Sequence, residues 1–204
     1  MRRATVQQTK SAINAADYIV REDGNTVFEI ESNYVSKELM TPLRMRGGQR
    51  EYSFRRNILQ GAVSIKQYDV MDLYEEHEKL GYICGNAVYF SASMTYTIEW
   101  SGRKFTMYDV GLGSQGIKLP IYESERQVAL VEKQGVVRNM LDSYEVYTIE
   151  DGLFPMTVLA ALYYDRENFS DRGKQAAAST RSTTTFSLSD KQLAKYDEDW
   201  VMPF

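Results

Sequence analysis

The segment Leu153–Tyr164, LFPMTVLAALYY, constrains the fold more than any other part of the chain. Leu153, Phe154, Met156, Val158, Leu159, Ala160, Ala161, Leu162 and Tyr163 leave no polar stripe at helical spacing. A helix that is apolar on all sides has to be covered on all sides. Its twelve residues fall well short of the ~20 that cross a membrane, so the cover must be protein. Pro155 suits the first helical turn, where its missing N–H costs nothing. The expected cover is a curved sheet wrapped round a helix at about 154–165.

The rest of the chain reads mainly as strands. Tyr18-Ile19-Val20 and Val27-Phe28-Glu29-Ile30 flank Glu22-Asp23-Gly24-Asn25, and Asp-Gly between such runs signals a hairpin. Thr95–Trp100 and Lys104–Tyr108 alternate about Ser101-Gly102-Arg103. Ile117–Tyr122 and Val128–Lys133 turn at Glu123–Gln127, with Pro120 predicting an edge or bulge because it lacks a ladder donor. Tyr144–Ile149 is a period-two strand running into the apolar helix.

Three segments read differently. Residues 1–16 are polar and Ala-rich and predict a short helix or loose arm. Val70, Leu73, Tyr74, His77 and Leu80 recur at three and four residues, between Asp69 as N-cap and Gly81. They predict a helical insertion at 69–80. Residues 169–204 read as a tail, Ser/Thr/Ala-rich at first but ending Trp200-Val201-Met202-Pro203-Phe204. Such an apolar end is expected to dock, so Trp200 and Phe204 are the candidate contacts to the barrel, a second copy or another protein.

Enzyme signals are weak. Gly111-Leu112-Gly113-Ser114-Gln115-Gly116 has the G-x-G-x-x-G spacing, but the Pro-containing strand pattern that follows offers no helix N-terminus for a pyrophosphate. His77, the one imidazole, stands among Glu75, Glu76, Glu78 and Lys79 with no nucleophile motif beside it. Cys84 and His77 lack further ligands at zinc spacing, so no metal or other cofactor is implied. The Ser101-x-x-Lys104 spacing falls in a hairpin turn and carries no nucleophile. The net charge of -4 argues against a nucleic-acid partner. A lone cysteine, and no apolar run after Met1-Arg2-Arg3, lead to a cytoplasmic expectation.

One charge asymmetry stands out. Residues 37–66 carry seven cations against Glu38 and Glu51. Arg44, Arg46, Arg50, Arg55 and Arg56 are therefore candidates for holding an anionic lipid headgroup at the membrane surface, provided they converge. The alternative is that their strands scatter them over several faces.

The hairpins at Tyr18–Ile30 and Tyr96–Tyr108, with Ile121–Lys133, Asp142–Val146 and a helix ending Ala161-Leu162-Tyr163-Tyr164-Asp165, resemble the tubby C-terminal-like group, which includes LURP-one-related and phospholipid scramblase-like proteins. The likeness covers about residues 16–168. It implies a mainly β (α+β) fold, an antiparallel barrel of about twelve strands around a central hydrophobic C-terminal helix, over residues 17–168. It further implies headgroup binding in some members and leaves many without an activity. Two expectations follow: a non-enzymatic protein-interaction or scaffold module, and a module for phosphoinositides, other anionic lipids or an apolar ligand.

Overall fold

The computed structural model describes residues 1–12, 15–33, 43–57, 67–86, 94–112, 116–134, 141–168 and 193–200. Its strands are β1 (Arg2–Ala12), β2 (Ala15–Glu22), β3 (Asn25–Asn33), β4 (Leu43–Gly47), β5 (Arg50–Arg56), β6 (Gln67–Glu75) and β7 (Glu78–Asn86), followed by β8 (Thr95–Trp100), β9 (Arg103–Tyr108), β10 (Val110–Gly111), β11 (Ile117–Glu123), β12 (Arg126–Lys133) and β13 (Ser143–Thr148). A 3-10 turn, Asp151–Leu153, leads into helix α1 (Phe154–Asn168).

Sequence neighbours pair antiparallel all the way round, and β13 returns to β1, with Arg2 opposite Thr148 and Gln7 opposite Ser143. β9 and β10 are one stave with a break in it. Thr106 and Met107 face Tyr122 and Ile121, while Val110 and Gly111 face Lys118 and Ile117 in the same register. The break falls opposite Leu119 and Pro120, where proline has no N–H to give. At the break the Asp109 N–H donates instead to the Met94 carbonyl, 3.3 Å away. The result is a closed antiparallel barrel of twelve staves.

Turn chemistry sets the hairpins as the sequence predicts. Asp23 and Gly24 (φ 50° and 80°) and Ser101 and Gly102 (φ 50° and 77°) are consecutive left-handed residues. Such pairs match the strand twist in two-residue loops.

Eleven of the fifteen residues of α1 are buried, on every face of the helix. β2 and β8 stand on opposite walls, six staves apart, and α1 touches both. Tyr18 of β2 donates to Asp165 at 2.5 Å, while Tyr96 of β8 meets the rings of Tyr163 and Tyr164 edge-on at 6.0 and 5.8 Å. Phe154 stacks on Phe28 of β3 at 5.9 Å. The helix therefore runs along the barrel axis and fills the lumen.

Two expectations are corrected. Residues 69–80 form the β6–β7 hairpin, not a helix. Bulges at Tyr68/Met71 and Leu73/Tyr74 break the strand alternation, and the apolar residues on either side fall by coincidence at three and four. Glu76 (φ 51°) opens the turn, His77 is exposed in it, and Asp69 (φ 45°) is a bulge residue rather than an N-cap. Gly81 does not end a helix. A Cβ there would stand 1.9 Å from the Glu99 carbonyl oxygen on β8, so only glycine lets the two strands approach. The described residues of the expected arm at 1–16 likewise form strands. Ala4, Val6 and Gln8 are buried while Arg3, Thr5 and Gln7 face out or partly out. The small and polar character of these residues hides a strand whose pairing closes the ring.

Leu159 and Leu162 are buried in the lumen, 1% and 2% exposed. Leu159→Ala or Leu162→Ala should cost about 2–5 kcal/mol each, seen as a lower denaturant midpoint. Leu193→Ala, at a half-exposed position, should leave it unchanged. Wild-type midpoints for both core variants would refute the axial helix.

Candidate functional site

β4 turns Leu43 and Met45 inward and Arg44 and Arg46 outward. On β5, Arg55 has the outward parity, beside them on the outer face. Arg50 and Arg56 share the inward parity of Tyr52 and Phe54 but stand at the strand's two ends, over opposite mouths of the barrel. The structure thus gathers Arg44, Arg46 and Arg55 and separates Arg50 and Arg56. Four of the five have partners. Arg46 lies 2.8 Å from Glu51 and 3.9 Å from Glu31. Arg50 is 3.6 Å from Glu75, and Arg56 is 3.1 Å from Asp69. Arg55 stacks 3.9 Å over Tyr74 and donates to the Glu76 carbonyl. Arg44 is exposed, with no ion pair among the described residues. Phe204, Lys37 and Lys66 lie outside the described residues.

The mouth where α1 starts holds a cavity of about 590 Å³ bounded by Arg2, Phe28, Arg50, Tyr52, Asp151 and Phe154 among others. Arg2 covers the Phe154 ring at 3.7 Å and donates twice to Glu22, at 2.6 and 2.7 Å. Its charge is already spent on Glu22.

A second place is the outer wall over the broken stave. Tyr108 of β9 and Tyr122 of β11 meet edge-on across the seam, centroids 5.8 Å apart. The chain returns here after residues 169–192. The Lys195 ammonium lies 4.9 Å from the Tyr122 ring centre and 5.8 Å from that of Tyr108, and it pairs with Glu125 at 2.9 Å. The Tyr122 hydroxyl donates to the Lys195 carbonyl at 2.8 Å. A cation over two aromatic faces, a carboxylate rim and one main-chain bond together hold a lysine and its backbone. Trp200, in the short 3-10 turn Glu198–Trp200, is half-buried. Among the described residues of the tail, Lys195 makes the best-defined contact with the barrel.

The third place is the buried polar end of α1. Asp165 accepts from the hydroxyls of Tyr18 and Tyr144, and Lys133 forms an ion pair with Asp142 beside them. Around the same end, Tyr164 donates to Asp109 at 3.0 Å, and Arg166 donates to Asp69 at 2.9 Å. The Tyr163 hydroxyl accepts from the Gly85 N–H and donates to the Asp69 carbonyl. Burial pushes the Asp109 carboxyl up to about 6 and that of Asp165 also to about 6. For Asp165, the Asp142 charge adds to the rise and the two tyrosine donors oppose it. The contacts made by Tyr163, Tyr164, Asp165 and Arg166 fasten the helix to the wall.

The sequence signals for the second and third places were thin. Lys195 and Tyr122 are separated by 73 positions, which no local pattern spans. Lys133 closes the apolar run Val128–Val131, and Asp165 closes the apolar helix. A charge ending a buried segment was the available clue. Among the described residues no three His, Cys, Asp or Glu side chains converge as a metal would need.

Comparison with family models, with curated proteins and with solved structures gives no match.

The raised carboxyls fix a pH dependence. Unfolded, Asp109 and Asp165 titrate near 3.8, and folded near 6. The folded state then binds protons more tightly, so their contribution is full below about pH 4 and is lost as pH rises through about 6. Asp109→Asn should shrink the fall in stability between about pH 4 and pH 7 by roughly 1–3 kcal/mol, measured by denaturation at both pH values. An unchanged fall would show that Asp109 titrates alike in both states.

Proposed function

We propose that this chain is a non-enzymatic interaction module that holds a lysine-bearing turn of another protein, or of a second copy, on the outer wall at Tyr108, Tyr122 and Glu125. The observation that carries the reading is the seat itself, occupied by the chain's own Lys195. The filled lumen supports it too. With α1 on the axis, recognition falls to the outer wall and the mouths. A cytoplasmic location and kinship with the tubby-like group belong to this proposal, the second supported by the barrel and axial helix that the resemblance implies.

Opening the seat tests it. In full-length Lys195→Ala the tail no longer competes, so a labelled peptide copying residues 191–200 should bind several-fold more tightly than to wild type. The same peptide with alanine at the position of Lys195, and Lys191 kept, should not bind. Equal binding of the peptide to wild type and variant would end the proposal.

A second reading, an anionic-headgroup site, rests on Arg44, exposed beside Arg46 and Arg55 on one outer face. It predicts flotation with anionic but not neutral vesicles, weakening as salt rises, and loss on Arg44→Glu. Since acids already partner Arg46, Arg50 and Arg56, we rank it second. Equal flotation with both vesicle types, or with neither, would remove it.

A further inference from the structure

The end of the barrel around Asp165 holds a set of groups that fastening a helix does not require. Lys133, at the end of β12, has the inward parity of Ala129 and Val131, and it stands opposite Tyr144 of β13. Its side chain is 1% exposed and that of its partner, Asp142, 2%. The Tyr144 ring lies 4.9 Å below the ammonium, and the Tyr144 hydroxyl donates to Asp165, itself 1% exposed. Asp142 is clamped at its backbone. Its N–H donates to the Gln8 side-chain carbonyl at 3.0 Å, and its carbonyl accepts from the Gln8 N–H at 2.9 Å, at the bulge in β1. One amine and one carboxyl are thus held in contact, in a dry aromatic pocket, with a second carboxyl close enough to feel both charges.

We propose that Lys133 and Asp142 are joined by an isopeptide bond that the folded protein forms by itself. The ammonium first passes a proton to the Asp142 carboxylate, giving amine and acid. Nζ then attacks Cγ of Asp142, and the C–N bond forms as the C–OH bond breaks. The proton that Nζ sheds passes to the leaving hydroxyl, which departs as water. Amine and acid become amide and one water, and no oxidant or co-reactant enters.

The surroundings favour each step. Two groups fixed in contact react as though at very high concentration, since the entropy of meeting was met by folding. Excluding bulk water removes the competitor that would hydrolyse the amide. An ion pair buried in this way must be held against the loss of its hydration, whereas the amide carries no charge. The product would stitch β12 to the start of β13, next to the strand that closes the ring on β1.

Intact-mass spectrometry of the purified full-length protein tests this directly, because the bond leaves the chain one water lighter than its sequence. Trypsin cannot cut after an acylated lysine. A digest should therefore give one branched species, in which the peptide beginning at Gln127, with Lys133 uncut, is joined to the peptide beginning at Asn139, which contains Asp142. Lys133→Arg, which cannot form the amide, should return to the full sequence mass and lose the branched species. A water loss that persists in Lys133→Arg would overturn the proposal, as it would come from cyclisation elsewhere in the chain. Wild type at its full sequence mass, with Lys133 cleaved normally, would overturn it too. Should the arginine variant fail to fold, the branched fragment in wild type decides alone.

Discussion

A helix with no polar face cannot rest on a sheet, because half its surface would still meet water. Everything else in this molecule follows from that constraint. The sheet has to close, and twelve staves close it around α1. The helix must also be stopped from sliding or turning in an apolar tube, where dispersion contacts vary little with register. Tyr18 and Tyr144 on one wall, and Asp69 and Asp109 on others, fix it through hydrogen bonds that depend on direction. Unmade, such buried groups would each cost about 1–3 kcal/mol, so they select one depth and one rotation.

The sequence was legible where local chemistry decides the conformation. Asp23-Gly24 and Ser101-Gly102 need left-handed backbone and so declare their hairpins, and the unbroken apolar run of α1 declares its own burial. Pro120 was read correctly as a flaw in its strand, although the effect appears in the partner: the stave opposite is divided into β9 and β10. Legibility failed where long-range pairing overrides a local pattern. Residues 69–80 have helical spacing, but β5 and β8 bind them on both sides as strands. Residues 2–12 look like a loose arm until β13 is there to pair with them. For the candidate site, the basic run was visible but not its division between the outer face and two mouths, since a strand's two ends cannot be told from its middle without the barrel. Tyr108, Tyr122 and Lys195 were invisible as a group because each is an ordinary residue alone.

The seat on the outer wall is weak by design of its parts. An exposed cation–π contact is worth about 0.5–1 kcal/mol, and a surface ion pair usually less than about 1. Against these stands the chain-entropy cost of tethering Lys195 to the wall, which grows only slowly with the number of residues between the two ends. The opposing quantities are similar in size, so docked and undocked tails differ little in free energy. On the proposed reading, a segment held this loosely can be exchanged for another of like chemistry. The docked lysine also lies over the seam where Tyr108 of β9 and Tyr122 of β11 meet.

The pairing of β1 with β13 has a consequence for how the molecule is made. Chains emerge from the ribosome N-terminus first, at roughly 5–20 residues per second, so β1 exists long before its second partner. Until Ser143–Thr148 appears, the strands can form only an open, curved sheet with an exposed edge and an uncovered inner face. α1 comes last of the core elements, immediately after the strand that completes the ring. Closure and filling therefore cannot be separate events, because a shut barrel would bar its own core and an unfilled one would collapse. The nascent sheet must stay open until β13 and α1 have both emerged, then shut on the helix in a single step. Contacts of such long sequence separation make that step slow, and they place the hazard of aggregation in the interval just before it.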